Sequence, residues 1–324
     1  MSARPSIAII GAGMSGAAAA RVLAEAGLGV TLFDKSRGVG GRMATRRLEG
    51  GSFDHGTQFF RPKGTRFAAA VEAWQEAGIV AAWEEDRYVG TPAMNAPVKA
   101  LIGDLPVVTG AAVSALTRED GRWRVVAEGA PDTLFDAVLI AIPATQARPI
   151  AASAGWHPEA LVAERYAPCW TLMLGYAEPI DLPESMALED ATISWIADNS
   201  SKPDRPVPRG EDEMHCIVVH AGPDWSRETI EDDPESVLSR LYTRYVGITG
   251  IMEEPIHGGV HRWRYALVEK PLGETHLWDA ALRLGACGDW CIGPRVEAAH
   301  ESGEALADAL LAGTFWAVGA GSRS

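Results

Sequence analysis

Three glycines and an acid near the start of the chain have the types and spacing of a dinucleotide site. Gly11, Gly13 and Gly16 follow a short apolar run, and Asp34 comes 23 residues after Gly11. In such a turn the glycines allow a tight bend, a close approach of backbone to pyrophosphate, and close packing of the next helix. The helix N-terminus attracts phosphate, and the acid accepts hydrogen bonds from ribose hydroxyls. The pattern predicts a dinucleotide held by Gly11, Ala12, Gly13, Met14, Ser15, Gly16, Asp34 and Lys35.

A second glycine turn, Gly40-Gly41-Arg42, follows this acid closely. Its backbone amides can face the same pyrophosphate from the other side, and Arg42 can add a charge-assisted contact. A nicotinamide coenzyme leaves after each turnover, whereas a flavin stays. The double clamp therefore favours a resident flavin dinucleotide, FAD. The alternative is a flexible surface turn with a solvated arginine.

The C-terminal part supplies a matching half. Gly288 and Asp289 follow a predicted strand, where the acid can accept a bond from a ribityl chain. A helix that begins near Val296 would direct its positive end at the flavin ring. The alternative is that Asp289 only caps this helix. Cys287 and Cys291 lie nearby without a second pair of ligands, so we predict buried thiols and no metal site.

These motifs need a particular set of elements around them. The run from Ser6 to Ile10, a helix from Met14 and a strand ending at Asp34 form a βαβ unit within about 30 residues. The C-terminal part repeats this pattern, with a predicted strand followed by an alanine-rich helix. The middle of the chain has longer predicted loops and most of the prolines. We predict an α/β fold in which residues 1–62, 99–150 and 279–324 form a discontinuous FAD-binding domain and residues 63–98 and 151–278 form a substrate domain.

Composition limits the classes of partner. The chain has 324 residues, of which 47% are hydrophobic and 22% charged, as in soluble globular proteins. A net charge of −14 and a pI near 5.0 oppose general binding to nucleic acid or to an anionic membrane, although a local basic pocket for one small anion stays open. The uncharged run 5–20 is short for a membrane span and contains the glycine pattern, so we predict a cytoplasmic protein.

With both glycine turns in place, the chain resembles the flavin-dependent amine oxidase superfamily and, more narrowly, the bacterial branch of the renalases. The narrower resemblance lies in DKSRGVGGRM, DHGTQFF, SKPDR, HAGPDWS, HRWRYA and CGDWC with RVEAA after it. It implies bound FAD and a Rossmann-like FAD-binding domain beside a substrate domain of mixed β-sheet and helices, with p-hydroxybenzoate hydroxylase-like topology. It further implies oxidation of isomeric dihydronicotinamides, 2- or 6-dihydroNAD(P), to NAD(P)+, with oxygen converted to hydrogen peroxide.

The resemblance also implies site residues. Flavin contacts carry over to Gly11, Gly13, Gly16, Asp34, Arg42, Gln58, Asp289 and Val296, and the backbone of Val113 is expected at the adenine. Their neighbours Gly41, Thr57, Gly288 and Glu297 are expected at the same cofactor.

The chemistry does not require a side-chain base. A dihydropyridine becomes aromatic as it loses hydride, so stacking substrate and flavin at reactive distance suffices. An amine oxidase needs a neutral amine and often a lysine near the flavin, and whether Lys202, in a predicted loop, reaches inward is left open. The alternatives are therefore an amine oxidase or desaturase of another small reduced molecule, and a flavin-binding sensor without turnover.

The substrate face is expected in the middle of the chain. We predict Gln58, His220 and Trp263 as catalytic residues and Trp225, Arg262, Arg264 and Tyr265 as substrate-binding residues. Structural roles compete with these assignments, because large aromatic side chains are usually buried for packing. The two arginines point the same way on a strand, where they either bind substrate phosphate or form a solvated face.

Overall fold

The computed structural model describes residues 4–161, 166–208 and 213–313. Its strands are β1 (Ser6–Ile10), β2 (Gly29–Asp34), β3 (Arg46–Leu48), β4 (Gly51–Phe53), β5 (Val80–Ala82), β6 (Tyr88–Gly90), β7 (Val107–Thr109), β8 (Ala115–Glu119), β9 (Arg122–Val126), β10 (Leu134–Phe135), β11 (Ala137–Ile140), β12 (Tyr166–Tyr176), β13 (Ser185–Ala187), β14 (Ile193–Asp198), β15 (His215–Ala221), β16 (His257–Val268), β17 (Leu277–Asp279) and β18 (Leu284–Ala286). Its helices are α1 (Met14–Glu25), α2 (Thr65–Glu76), α3 (Ala96–Ile102), α4 (Ala144–Ser153), α5 (Pro223–Glu228), α6 (Pro234–Thr249), α7 (Asp289–Ile292) and α8 (Val296–Ala312). Two 3-10 turns cover Gly41–Met43 and Asn199–Ser201.

A six-stranded sheet in the order β17-β18-β11-β1-β2-β7 forms the Rossmann-like layer. Its inner strands are parallel, and β17 joins the edge antiparallel to β18. β1 is apolar and almost fully buried, as a strand covered on both faces must be. Because β2 and β11 flank β1, the chain crosses in opposite directions on either side of it, and ligands bind at the carboxyl ends of strands at such a point.

The two ends of the chain meet in this layer. β18 pairs with β11 beside β1, and α8 packs against α1. Small residues let the two helices approach closely: a Cβ on Gly303 would lie 2.1 Å from the Ser15 carbonyl oxygen. Ala17, Ala18, Ala19 and Ala20 of α1 are buried.

The second layer is a five-stranded sheet in the order β13-β14-β15-β12-β16, with antiparallel pairing between its strands. The helix α6 covers one face, where Trp170 and Leu172 of β12 pack with Leu241 and Tyr245. The other face carries Thr171 and Met173 toward β4 and the first layer. The α/β fold with a Rossmann-like layer beside a second sheet and helices is confirmed.

One segment packs differently from the predicted domain division. Phe67, Val71 and Trp74 of α2, with Val80 and Val89, lie in the same apolar core as β1 and α1. Residues 63–98 were predicted in the substrate domain. We propose that they belong instead with the FAD-binding domain; the other boundaries stay predictions.

The uncharged N-terminal run forms β1, the glycine turn and the first part of α1. α1 has 12 residues. Over the described ranges, none of the helices combines the length and the apolar character needed to cross a bilayer. The cytoplasmic location stays a prediction.

Candidate functional site

A cavity of about 1570 Å³ lies between the two sheets. The turns after β1, β2 and β11 line one side of it, and residues of β14, β15 and β16 line the other. Ligand pockets commonly measure roughly 300–1,000 Å³, so this one has room for a dinucleotide with a second molecule beside it.

The two glycine turns form one surface at the cavity wall. Gly11 adopts φ +106°, and its N–H donates to the Phe33 carbonyl over 2.7 Å. The Gly40 N–H donates to the Ala12 carbonyl over 2.9 Å, which ties the second turn to the first. A Cβ on Gly41 would lie 3.5 Å from the Gly13 Cα. Backbone without side chains therefore faces the cavity from both turns.

Asp34 ends β2 at this surface and is nearly buried. One carboxylate oxygen accepts from the Ala12 N–H and the other from the Ser36 N–H, both over 2.8 Å. These bonds hold the carboxylate in position, and each oxygen keeps a lone pair for another donor. The arrangement suits a ribose diol.

Arg42 and Asp289 lie together at the cavity wall. The guanidinium donates to both carboxylate oxygens, over 2.7 and 2.6 Å, and also to the Ala266 carbonyl over 3.1 Å. Burial lowers the pKa of Arg42, but attraction to Asp289 outweighs it and raises that pKa above its ordinary value. From the sequence, Arg42 and Asp289 were each expected to contact the cofactor separately. In the structure they contact each other.

These residues fit FAD. A Cβ on Gly13 would meet nothing nearer than the Gly41 Cα at 4.0 Å, so open space lies in front of a backbone that a pyrophosphate needs to approach. Most of the predicted cofactor residues line this one cavity, namely Gly11, Gly13, Met14, Ser15, Asp34, Lys35, Gly41, Arg42, Thr57, Gln58, Val113, Gly288, Asp289 and Val296.

Three predicted cofactor residues act from outside the cavity instead. Ala12 positions Asp34 through its N–H. Gly16 packs against the turn, since a Cβ there would lie 2.0 Å from the Gly11 carbonyl oxygen. The Glu297 carboxylate is buried and accepts from the backbone N–H groups of Lys63 and Gly64, over 2.8 and 2.6 Å. These three residues therefore support residues that line the cavity and do not themselves line it.

The predicted substrate residues divide in the same way. Gln58, His220, Arg262, Trp263, Arg264 and Tyr265 line the cavity. Trp225 does not: it packs in the core of the second sheet, with the Arg240 guanidinium 4.9 Å from its ring centre. The prediction for Trp225 is corrected, because α5 turns its side chain toward α6.

Arg262 and Arg264 project from β16 and share a carboxylate partner. Arg264 forms a two-point pair with Glu231, over 2.5 and 2.9 Å, and Arg262 donates to the Ile230 carbonyl over 2.7 Å. Both side chains are thus already engaged by the segment before α6.

Two histidines and Trp263 form an imidazole–indole cluster on the wall. His55 stacks on Trp263 with ring centres 5.1 Å apart, and His261 meets the same indole edge-on at 4.4 Å. The Trp263 indole N–H donates to the His55 carbonyl over 2.8 Å. Burial lowers the pKa of His55 and of His261 to about 4, so both rings are neutral near pH 7.

Behind Gln58 lies a buried ion cluster of Asp54, Lys202 and Arg205. The Lys202 ammonium contacts the Asp54 carboxylate at 3.3 Å and the Gln58 carbonyl at 3.2 Å, and Arg205 reaches the same carboxylate at 2.7 Å. Because an ammonium only donates, the Gln58 amide orientation is fixed, and its NH₂ faces the His220 Nε2 at 3.2 Å. Burial lowers the pKa of Lys202 to about 8 and that of His220 to about 4.

Several of the residues at this cavity were not predicted from the sequence. His55, His261 and Trp195 line the cavity, and the Trp195 indole N–H is buried without a hydrogen-bond partner among the described residues. Asp54 and Arg205 stand in the segments DHGTQFF and SKPDR, which carried the family resemblance but no individual roles. The ion pair between Asp54 and Arg205 would have indicated a buried role for both residues, but it joins segments that are far apart in the sequence.

The cavity is basic although the chain is acidic. Its lining includes two carboxylates, Asp34 and Asp289, whereas the whole chain carries a net charge of −14. The basic residues of the lining are more numerous, namely Lys35, Arg37, Arg42, Arg46, Arg47, Arg61, Lys63, Arg262, Arg264 and Arg295.

Comparison with known families finds two matches along the chain. Residues 9–74 match the NAD(P)-binding Rossmann-like domain, and residues 76–311 match the flavin containing amine oxidoreductases. A 50-residue stretch is 50% identical to 4,4'-diapophytoene desaturase (4,4'-diaponeurosporene-forming) of Staphylococcus haemolyticus (strain JCSC1435) and of Staphylococcus aureus (strain Newman). It covers 15% of this chain and 10% of each relative, so the chain matches about a tenth of their length.

Solved structures share the fold over nearly the whole chain. A provisionally assigned protoporphyrinogen oxidase from Exiguobacterium sp. 255-15 has a TM-score of 0.69 at 14% identity, over 95% of this chain and 99% of that one. Cyclohexylamine oxidase from Brevibacterium oxydans IH-35A has 0.64 at 12%, over 95% and 99%. Wild-type putrescine oxidase bound to putrescine has 0.63 at 14%, over 96% and 99%. At such identities the likeness shows the fold alone.

Proposed function

The chain belongs to the family of flavin-containing amine oxidoreductases, and we propose that within this family it is a renalase-like oxidase of isomeric dihydronicotinamides. It is an FAD-dependent oxidoreductase. The proposed substrates are 2- and 6-dihydroNAD(P), which would be converted to NAD(P)+ while oxygen is reduced to hydrogen peroxide. Bound FAD supplies the two-electron acceptor of this reaction at its N5.

The basic lining of the cavity is the observation that carries the proposal. An acidic protein that gathers arginines and lysines at one cavity attracts anions there. The pyrophosphate of FAD would engage Arg42 and the glycine turns, which leaves Arg46 of β3 for a second phosphate-bearing molecule. A cationic amine, by contrast, would be repelled from the same surface.

The neutral wall of the cavity is consistent with this chemistry. A dihydropyridine gains aromaticity on oxidation, so it needs orientation rather than a base. The Trp263 indole, with His55 stacked on it, lines the cavity. Gln58 and His220 offer polar groups, and Lys202 fixes the orientation of the Gln58 amide that contacts His220. The low pKa values of His55, His220 and His261 keep these three rings uncharged near pH 7.

Lys202 favours a second candidate, an amine oxidase or desaturase. It is buried, and its ammonium lies against Gln58 rather than in solvent. A lysine near the flavin is what an amine oxidase often uses. Putrescine oxidase and cyclohexylamine oxidase share the fold, and a 50-residue stretch of the chain is 50% identical to a desaturase.

Anaerobic reduction of the bound flavin separates these candidates. We expect the yellow protein to be bleached by borohydride-treated NAD+, which contains isomeric dihydronicotinamides, and to resist putrescine and cyclohexylamine. Raised ionic strength should slow bleaching by the dinucleotide, because screening weakens its attraction to the basic lining. Bleaching by the amines alone would replace the proposal with the second candidate. Failure of every reductant would leave a flavin-binding sensor.

A further inference from the structure

Arg46 differs from the other arginines of the cavity. Arg42, Arg61, Arg262 and Arg264 are partly buried or paired at the surface, and each has a carboxylate within ion-pair distance. Arg37 and Arg47 are exposed, so water can satisfy them. Within the described ranges, Arg46 is the partly buried basic residue of the lining that forms no ion pair.

The sheet directs Arg46 inward. It begins β3, opposite Phe53 of β4, and side chains alternate along a strand, so the exposed Arg47 points the other way. The Arg46 guanidinium lies 3.4 Å from the His261 Nδ1. A guanidinium carries five N–H donors and no acceptor, so this single long contact leaves most of its donors available.

The groups that face Arg46 are imidazoles, not carboxylates. Its charge contributes, after burial, to lowering the pKa of His55, His257 and His261. The His261 Nδ1 must accept the contact, which leaves the proton of that ring on Nε2. Desolvating a charge without a partner is costly, and proteins usually pair such a group. An unpaired guanidinium beside neutral rings therefore suits an anion that arrives with the ligand.

We propose that Arg46, with His261 beside it, binds a phosphoryl group of the pyridine nucleotide whose ring stacks on Trp263. The inference rests on the proposed function for the identity of this ligand. His261 bridges the two recognition elements: its ring lies 3.4 Å from the guanidinium and 4.4 Å, centre to centre, from the indole. A nucleotide has the same order of groups, an aromatic ring joined through a ribose to phosphate. Arg46 thus selects nucleotides over nucleosides.

Calorimetric titration of the FAD-loaded protein tests this selection without turnover. Nicotinamide mononucleotide and nicotinamide riboside differ by one phosphoryl group, and bound FAD already occupies the pyrophosphate surface at Arg42. We expect the wild-type protein to bind the mononucleotide about tenfold or more tightly than the riboside, as a charge-assisted contact would give. Arg46→Met should bring the two Kd values within about twofold while the riboside Kd stays unchanged.

Two further variants keep the test decisive. Arg148→Met removes the same charge from an exposed position on α4 outside the cavity lining, and it should retain the full discrimination. Arg46→Lys keeps a point charge without the planar fork, so it should retain part of it. If Arg46→Met lost its flavin, Arg46→Lys would serve as the test instead. An Arg46→Lys protein that prefers the mononucleotide over the riboside as strongly as wild type does would overturn the proposal.

The outcomes separate this inference from the proposed function. Equal discrimination in wild type and in a flavin-containing Arg46→Met would overturn the role of Arg46, even if dihydronicotinamides bleach the flavin. Lost discrimination would support that role, even if none of those compounds bleaches the flavin and the catalysed reaction is a different one.

Discussion

Arg42 and Asp289 stand 247 residues apart in the chain and form a two-point ion pair at the cavity wall, over 2.6 and 2.7 Å. The arginine comes from the second glycine turn, and the acid begins α7 directly after the strand β18. The pair therefore links the two chain ends at the place where FAD binding requires them together. It also orders both side chains before any ligand arrives.

Replacing Arg42 by alanine should weaken both FAD retention and folding. The change removes a donor for the pyrophosphate and leaves the Asp289 carboxylate, whose side chain is 7% exposed, without its partner. Breaking such a pair from one side costs roughly 3 kcal/mol. The measurements are the flavin-to-protein ratio after gel filtration and the urea midpoint. Arg42→Lys serves as control, because it keeps the charge. An Arg42→Ala protein with full flavin content would contradict the clamp.

Two alanine substitutions in the first glycine turn should separate binding from folding. A Cβ on Gly13 has its nearest neighbour at 4.0 Å, so Gly13→Ala should change the stability of the FAD-free protein by less than about 1 kcal/mol. It should nevertheless lower FAD affinity, because the methyl group occupies the surface of the turn. A Cβ on Gly16 would lie 2.0 Å from the Gly11 oxygen, so Gly16→Ala should cost roughly 1–3 kcal/mol in folding.

Thermal unfolding of the FAD-free protein, with flavin titration alongside, measures both effects. Equal losses of stability in Gly13→Ala and Gly16→Ala would mean that the first position is also set by packing.

Acid should destabilise the protein in a defined window. In the folded chain the pKa of His55, His220 and His261 is lowered to about 4, mainly by burial, whereas an unfolded histidine titrates near about 6.5. Between these values the unfolded chain binds protons that the folded chain refuses, so stability falls as the pH decreases from about 6.5 to about 4. Above that window these rings contribute no pH dependence.

The melting temperature of the FAD-free protein as a function of pH measures this effect. His220→Gln should flatten the acid limb, and substitution of the exposed His157 by glutamine should leave it unchanged. An identical acid limb in both variants would rule out the buried imidazole as its source.

The two cations on Asp54 should contribute unequally to stability. Arg205 makes contacts of 3.1 and 2.7 Å to one carboxylate oxygen, whereas Lys202 makes one of 3.3 Å. Arg205→Met should therefore cost the roughly 3–5 kcal/mol of a broken buried pair, and Lys202→Met distinctly less. Only the lysine change frees the Gln58 amide, so it should alter substrate KM more than stability. Urea unfolding together with steady-state kinetics tests the order; a reversed order would contradict it.

Local patterns predicted the first half of the site well. The β1 strand, the glycine turn, α1 and Asp34 follow one another within a short stretch, so spacing alone fixes their arrangement. Arg42 and Asp289 were each assigned to the ligand, but nothing in either segment indicates that they pair across 247 positions. Such a contact depends on the packing of α8 on α1, which is a property of the whole fold.

Local composition is least informative where tertiary charge or packing overrides it. Lys202 stands in a polar, proline-rich stretch that is typical of an exposed loop, yet Asp54, 148 positions away, neutralises it in the interior. Trp225 stands near His220 in sequence, but one short helix turns it to the opposite face of the sheet. Residues 63–98 were assigned to the substrate domain on local sequence pattern, although their apolar side chains pack in the core of the first layer.

Rapid mixing of the oxygen-free, FAD-loaded protein with isolated dihydronicotinamide isomers tests the proposed function most directly. The absorbance of the bound flavin should fall rapidly with 2- or 6-dihydroNAD(P) and yield NAD(P)+ in equal amount, and it should fall far more slowly with ordinary 4-dihydroNAD(P) or with an amine. Flavin that stays oxidised with both isomers while an amine reduces it would contradict the account.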